Sequence, residues 1–168
     1  MRSLPIATDM AVAHLFLNPG GSREMHWHNS AEWAYIVDGH CQVTIVDPEG
    51  LAEIVNLAPG DLWFFPKGHS HAIQTLGSTP CHAILAFDDG LYSEHGTFGI
   101  SDWMSRFDKE VLAQAFGVAP KAFTQFRRRR PTSCRAKCLP WTAPKRVPLM
   151  SWTTRERIAI ASWHRSQG

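Results

Sequence analysis

Residues 20–39 read GGSREMHWHNSAEWAYIVDG, with His26 and His28 one residue apart and Glu32 four further on. On an extended strand, side chains two apart share a face, so the two imidazoles converge while Trp27 looks to the other side. Glu32 keeps the same parity and joins them if the strand stays extended or bulges lightly. Two neutral nitrogens and an anionic oxygen are thereby assembled locally. Further along, Pro66-Lys67-Gly68 turns the chain ahead of His69 and His71, either of which could supply a fourth donor. Buried without a cation, such a set would be an uncompensated polar cluster. Three imidazoles and a carboxylate suit Mn, Fe, Co, Ni, Cu or Zn and leave open positions in a six-coordinate shell. His14, His40, His82 and His164 stand alone in the sequence and are assigned no role.

Outward from this stretch, Met10 to about Phe87 reads as short strands separated by turn signals, the pattern of a sandwich or barrel. Asp38-Gly39, flanked by two β-rich runs, predicts a hairpin with a tight two-residue turn. Pro48-Glu49-Gly50 marks the next turn, and the alternation of Cys41, Val43 and Ile45 against Gln42 and Thr44 predicts a strand with one face on a core. After Phe87 the period changes. Trp103, Phe107, Val111, Leu112, Ala115 and Phe116 recur at helical spacing, with Asp108 placed to cap and Gly117 to stop, so one or two short helices are expected outside the β body.

Charge divides the chain where periodicity does. Residues 1–126 hold six Lys and Arg against fourteen Asp and Glu, a net of −8, whereas 127–168 hold eleven against one, a net of +10. One folded domain over 1–126 is expected, followed by a basic tail over 127–168 that is disordered or translated out of frame. Such a tail has no amphipathic stripe to offset an ordering cost of roughly 1–2 kcal/mol per residue. No secretory leader or apolar span is legible near the N-terminus, so a cytoplasmic protein with no membrane partner is expected. Cys41, Cys81, Cys134 and Cys138 then read as free thiols. Arg127–Arg130 could attract phosphate, but nucleic acid is not the expected partner.

Two spacings carry a resemblance. Gly20, His26, His28, Glu32 and Gly39, with five, one, three and six residues between them, match the first signature of the cupin superfamily. Gly60, Pro66, Gly68 and His71 match the second, with Thr75 where Asn usually closes it. The resemblance implies an all-β cupin, a double-stranded β-helix or jelly-roll barrel, with His26, His28, Glu32 and His71 as the metal shell. It thereby prefers His71 to His69. Over roughly residues 4–123 the chain further resembles the N-terminal cupin domain of bicupin oxalate decarboxylases, including PGGSREMHWHNSAEW, GDLWFFPKGHSHAIQ and FDDGLYSEHGTF. That resemblance implies Arg23 as the clamp on a substrate carboxylate and Glu94 as the acid that moves protons. It also implies Mn, with Fe or another divalent metal as the alternative, and dioxygen as co-catalyst. Oxalate would be the small dicarboxylate partner, yielding formate and carbon dioxide.

The lid stretch Ser93-Glu94-His95-Gly96-Thr97 departs from the usual decarboxylase version at its third and fourth residues. An oxalate oxidase, or another metal-dependent oxygenase, is therefore the enzymatic alternative. A metal-binding cupin fragment without turnover is the non-enzymatic one. The chain is expected to be one half of a bicupin cut at both ends, and a homo-oligomer is left open. Trp27 and Trp63 are read as packing residues.

Overall fold

Alternation decides which side of each strand faces inward. In β4, His40–Val46, every second residue is buried, and Cys41, Val43 and Ile45 enter the core while Gln42 and Thr44 stay outside. The same two-residue period runs through β3, Glu32–Asp38, which buries Ala34 and Ile36, and β8, Cys81–Phe87, which buries Ala83 and Leu85. The computed structural model describes residues 8–93, 96–124, 126 and, for the backbone alone, 134–135. Its remaining principal strands are β1, Ala11–Leu17; β2, Gly21–Trp27; β5, Ala52–Leu57; β6, Leu62–Phe65; and β7, Ser70–Leu76.

These strands form two antiparallel sheets that share a core. One has the order β1-β8-β3-β6; the other has the order β2-β7-β4-β5, with Phe98–Gly99 (β9) and Cys134–Arg135 (β10) pairing along β2. This is the all-β barrel that the sequence predicts. Its centre is filled from both sheets, by Ile36, Trp63, Phe65 and Phe87 on one side and Val43 and Ile73 on the other. Expectations for the tail fall outside the described residues, apart from the backbone pairing of Cys134 and Arg135 with Ser22 and Gly21. Cys41 and Cys81 are free and buried, as read.

The hairpin expected at Asp38-Gly39 does not form. β3 pairs with β6 and β8, whereas β4 pairs with β5 and β7, so the chain turns a corner there and passes from one sheet to the other. Gly39 takes a positive φ of 74°, and a Cβ would lie 2.0 Å from the Pro80 carbonyl oxygen. Glycine is thus required by close approach as well as by backbone angle. Ala34 and Ile36 on β3 and Cys41, Val43 and Ile45 on β4 face inward, and facing one another across a core buries both apolar sets at once. The β4–β5 turn at Pro48–Gly50 is a hairpin as read, closed by the Asp47 amide donating to the Leu51 carbonyl.

The helical segment divides in two, α1 at Ile100–Ser105 and α2 at Lys109–Phe116. Asp108 is the N-cap of α2, accepting from the Glu110 amide, and Gly117 closes it in the left-handed region at φ 65°. The two short helices expected outside the β body are thus present, but their apolar residues do not form one buried face. Of those recurring at helical spacing, only Leu112 is buried, while Trp103, Phe107, Val111 and Phe116 are exposed. The break at Arg106–Phe107 resets the period, so spacing counted across it does not describe one face. Leu112 and Ala113 instead pack with Phe123 into a small separate cluster.

Candidate metal centre

The four residues singled out by spacing come together between the sheets. One ligand atom from each of His26, His28, Glu32 and His71 lies within 4.8 Å of all the others, and all four side chains are buried. Glu32 does not share a strand with the histidines, as parity alone would have it. The chain leaves β2 after Trp27, turns through Asn29–Ala31 and enters the facing sheet at Glu32. The carboxylate therefore meets His26 and His71, paired neighbours on β2 and β7, from across the core. His69 stays outside the cluster, its ring directed to the Lys67 carbonyl.

Each imidazole is aimed by its far nitrogen. The Nδ1–H of His26 donates to the Glu24 carbonyl at 2.7 Å, that of His28 to the Ser30 carbonyl at 2.7 Å, and that of His71 to the His69 carbonyl at 2.9 Å. These bonds fix the tautomer and leave every Nε2 lone pair turned inward. His28 Nε2 then lies 3.3 Å, and His71 Nε2 3.6 Å, from the same Glu32 oxygen, Oε2. His71 Nε2 is buried with no hydrogen-bond partner among the described residues. Lone pairs facing a carboxylate oxygen in a water-poor interior need a cation between them. The donor set thus fits a divalent metal held by three nitrogens and one oxygen.

Electrostatics agree with that arrangement. Burial, then the neighbouring His71 and the Arg23 guanidinium, push the His26 pKa down to about 2, against smaller opposing effects of the Glu24 carbonyl and the Glu32 charge. Burial works to raise Glu32, but the facing His28 and His71 rings outweigh it and hold the carboxyl well below its usual range. Neutral imidazole and ionised carboxylate are the forms that ligate a metal.

Trp63 has a role that its sequence context did not show. Its indole N–H donates 3.1 Å to Glu32 Oε1, satisfying one carboxylate oxygen and leaving Oε2 to face the histidines. A buried Trp beside a ligand carboxylate is a signal, but only once the partner strand is known. Trp27 behaves as read and stacks on Phe98.

Arg23 depends on an irregularity. Three residues separate it from His26, so in a regular strand they would point to opposite faces. Here Arg23 pairs with Ile73 and His26 with His71, so Glu24 and Met25 on β2 oppose Ala72 alone on β7. This β-bulge turns Arg23 to the His26 face. Glu94 and His95 lie outside the described residues. Around that segment, Tyr92 stacks on Phe87 and meets the edge of His28, and its hydroxyl is 3.4 Å from the buried Thr97 hydroxyl. None of the described helices is long and apolar enough to cross a membrane.

Comparison with known proteins adds a context. The profile of the family described as Cupin matches residues 4–123. The oxalate decarboxylase of Bacillus subtilis is 47% identical over 118 residues, covering 70% of this chain and 30% of that protein. A probable oxalate decarboxylase of Arthroderma benhamiae is 42% identical over 124 residues, covering 73% and 30%. Solved structures of the Bacillus enzyme, one at pH 4.6 and one concerned with its Mn(II) centres, superpose at TM-score 0.76 with 40% identity. They cover 83% of this chain and 36% of theirs. The chain thus spans about a third of the length of these oxalate decarboxylases.

Proposed function

From the premise that the chain belongs to the cupin family, we propose that His26, His28, Glu32 and His71 hold one manganese ion in a domain that converts oxalate to formate and carbon dioxide. The observation that carries this reading is the buried, unpartnered His71 Nε2 facing Glu32 in a ring of inward-turned imidazoles. Similarity to oxalate decarboxylases, one of them studied for its Mn(II) centres, supports the choice of metal and substrate. When bound, manganese would supply Lewis acidity at a substrate oxygen and, with dioxygen as co-catalyst, one-electron chemistry.

The chain's own residues do the rest. Arg23, brought to the His26 face by the bulge, offers a planar guanidinium to one carboxylate of a small dianion. The core residues around the histidines, Phe65 and Phe87 among them, exclude water and strengthen that pairing. Glu94 takes a proton from the bound acid on its carboxylate and returns one to the carbon that becomes formate. In sum, hydrogen oxalate becomes formate and carbon dioxide with no net oxidation.

The test is a metal and product analysis of the purified full chain. Near-stoichiometric manganese with formate released is the expected result. Hydrogen peroxide in place of formate would make the reaction an oxidase's, and metal without either product would leave a binding domain. Glu94→Gln is expected to keep the metal and lose formate, and Arg23→Ala to raise KM for oxalate; parent-rate formate from Glu94→Gln would remove that residue from the mechanism.

A further inference from the structure

The bulge in β2 interrupts the ladder, because Glu24 and Met25 face Ala72 alone on β7. Regular pairing is the default for such a strand, so a bulge persists where contacts outside the pair hold it. These come from the other edge of β2. There β9 pairs Trp27 with Phe98 and His26 with Gly99, and the same register continued sets Glu24 opposite Ser101, in the first turn of α1. The Ser101 hydroxyl donates to Glu24 Oε1 at 2.8 Å, and the Ser101 amide to Oε2 at 3.3 Å. The N-cap of α1 is Gly99, which has no side chain to offer, so Glu24 caps the helix from the neighbouring strand. A Cβ on residue 99 would lie 2.7 Å from Glu24 Oε1, and glycine there lets the carboxylate in. The carbonyl of the same Glu24 takes the Nδ1–H of His26.

We infer that Glu24 is a positioning residue: its carboxylate, tied to Ser101, holds the bulge that keeps Arg23 and His26 on one face, a role that rests on Arg23 being the clamp for oxalate. His26 is fixed from both sides, by His71 on β7 and by Gly99 on β9. With the tie to Ser101 cut, the Arg23 end is therefore the one that slips. A slip of one residue sets Arg23 opposite Gln74 and turns its side chain to the other face. His26 keeps its partners on both strands, so the metal shell stays while the guanidinium leaves.

Calorimetric titration of the manganese-loaded full chain with oxalate, kept free of dioxygen, tests this without turnover. Glu24→Ala should weaken oxalate binding about tenfold or more, with manganese content unchanged. Ser101→Ala, which removes one hydroxyl outside the strand, should act in the same direction by less, and it serves if Glu24→Ala fails to fold. Glu24→Gln still offers Ser101 an acceptor at the same reach and should bind oxalate nearly as the parent does. Gln behaving as Ala would assign the effect to charge and overturn the inference, as would Glu24→Ala binding normally while Arg23→Ala binds weakly. If the chain takes up no manganese, or Arg23→Ala binds oxalate as the parent does, it is the proposed function that fails, and the bulge itself then decides. Nuclear Overhauser contacts in metal-free Glu24→Ala should move Arg23 from Ile73 to Gln74; an Arg23 still opposite Ile73 overturns the inference.

Discussion

Two groups of histidines sit in this domain, and they differ in where the second ring nitrogen goes. In the buried group, His26, His28 and His71 each spend Nδ1 on a backbone carbonyl and turn Nε2 toward Glu32. In the exposed pair, His14 and His82 spend a nitrogen on each other. Proximity of imidazoles is therefore not what makes a metal site. A neighbouring carbonyl that takes the far proton, and a carboxylate that balances the charge, fit the first group to hold a cation and leave the second a surface contact.

Breaking the buried group at its anion should have the largest effect. Glu32→Gln keeps the shape but removes the charge, and metal content measured by elemental analysis should fall from near one per chain to near none; full retention would remove Glu32 from the ligand set. His71→Ala should do the same. Next in size is Trp63→Phe, which takes away the donor to Glu32 Oε1. Chelator competition should show metal affinity reduced roughly 10- to 100-fold, with unfolding free energy lower by about 1–3 kcal/mol from the buried oxygen left unpaired.

Acid sharpens the same contrast. His26 stays neutral in the fold down to about 2, while in the unfolded chain it takes a proton below about pH 6.5. The unfolded state then binds more protons, so metal-free stability falls as pH drops from 6.5, by up to about 1.4 kcal/mol per pH unit. Glu32, depressed as well, adds to the loss once pH falls below its unfolded value. Urea titrations of the metal-free chain at several pH values check this, and His26→Asn should flatten the slope. The smallest effect belongs to the exposed pair. His82→Gln should leave metal content unchanged and move the urea midpoint by an amount worth less than about 1 kcal/mol in dilute solution.

The sequence makes the members of the buried cluster legible through their spacing from turn glycines and a proline: His26 and Glu32 between Gly20 and Gly39, His71 after Pro66 and Gly68. Strand alternation was equally open to reading, since Cys41, Val43 and Ile45 all face inward. What remained hidden is long-range. Asp38-Gly39 has the local chemistry of a hairpin, and only the apolar inner faces of both flanking strands send them to different sheets. The bulge that turns Arg23 inward is set by pairing with Ile73 and His71, fifty and forty-five residues away, and nothing in Glu24-Met25 announces it. Which apolar residues of the helices face inward is hidden for a similar reason, because the break before Asp108 comes from the cap and not from any loss of apolar residues.

The corner at Gly39 also dictates an order of events during synthesis. β3 has no partner in its sequence neighbour β4 and waits for β6 and β8; β1 waits longer still, since Ala11 pairs with Phe87. The β4–β5 turn is the early local structure available to a growing chain. A fold dominated by such distant pairings belongs with those that need milliseconds to seconds. Until Phe87 has left the ribosome, Phe16 has no strand to pair with and Trp33 has β6 alone, and that interval is when the nascent chain is most exposed to aggregation.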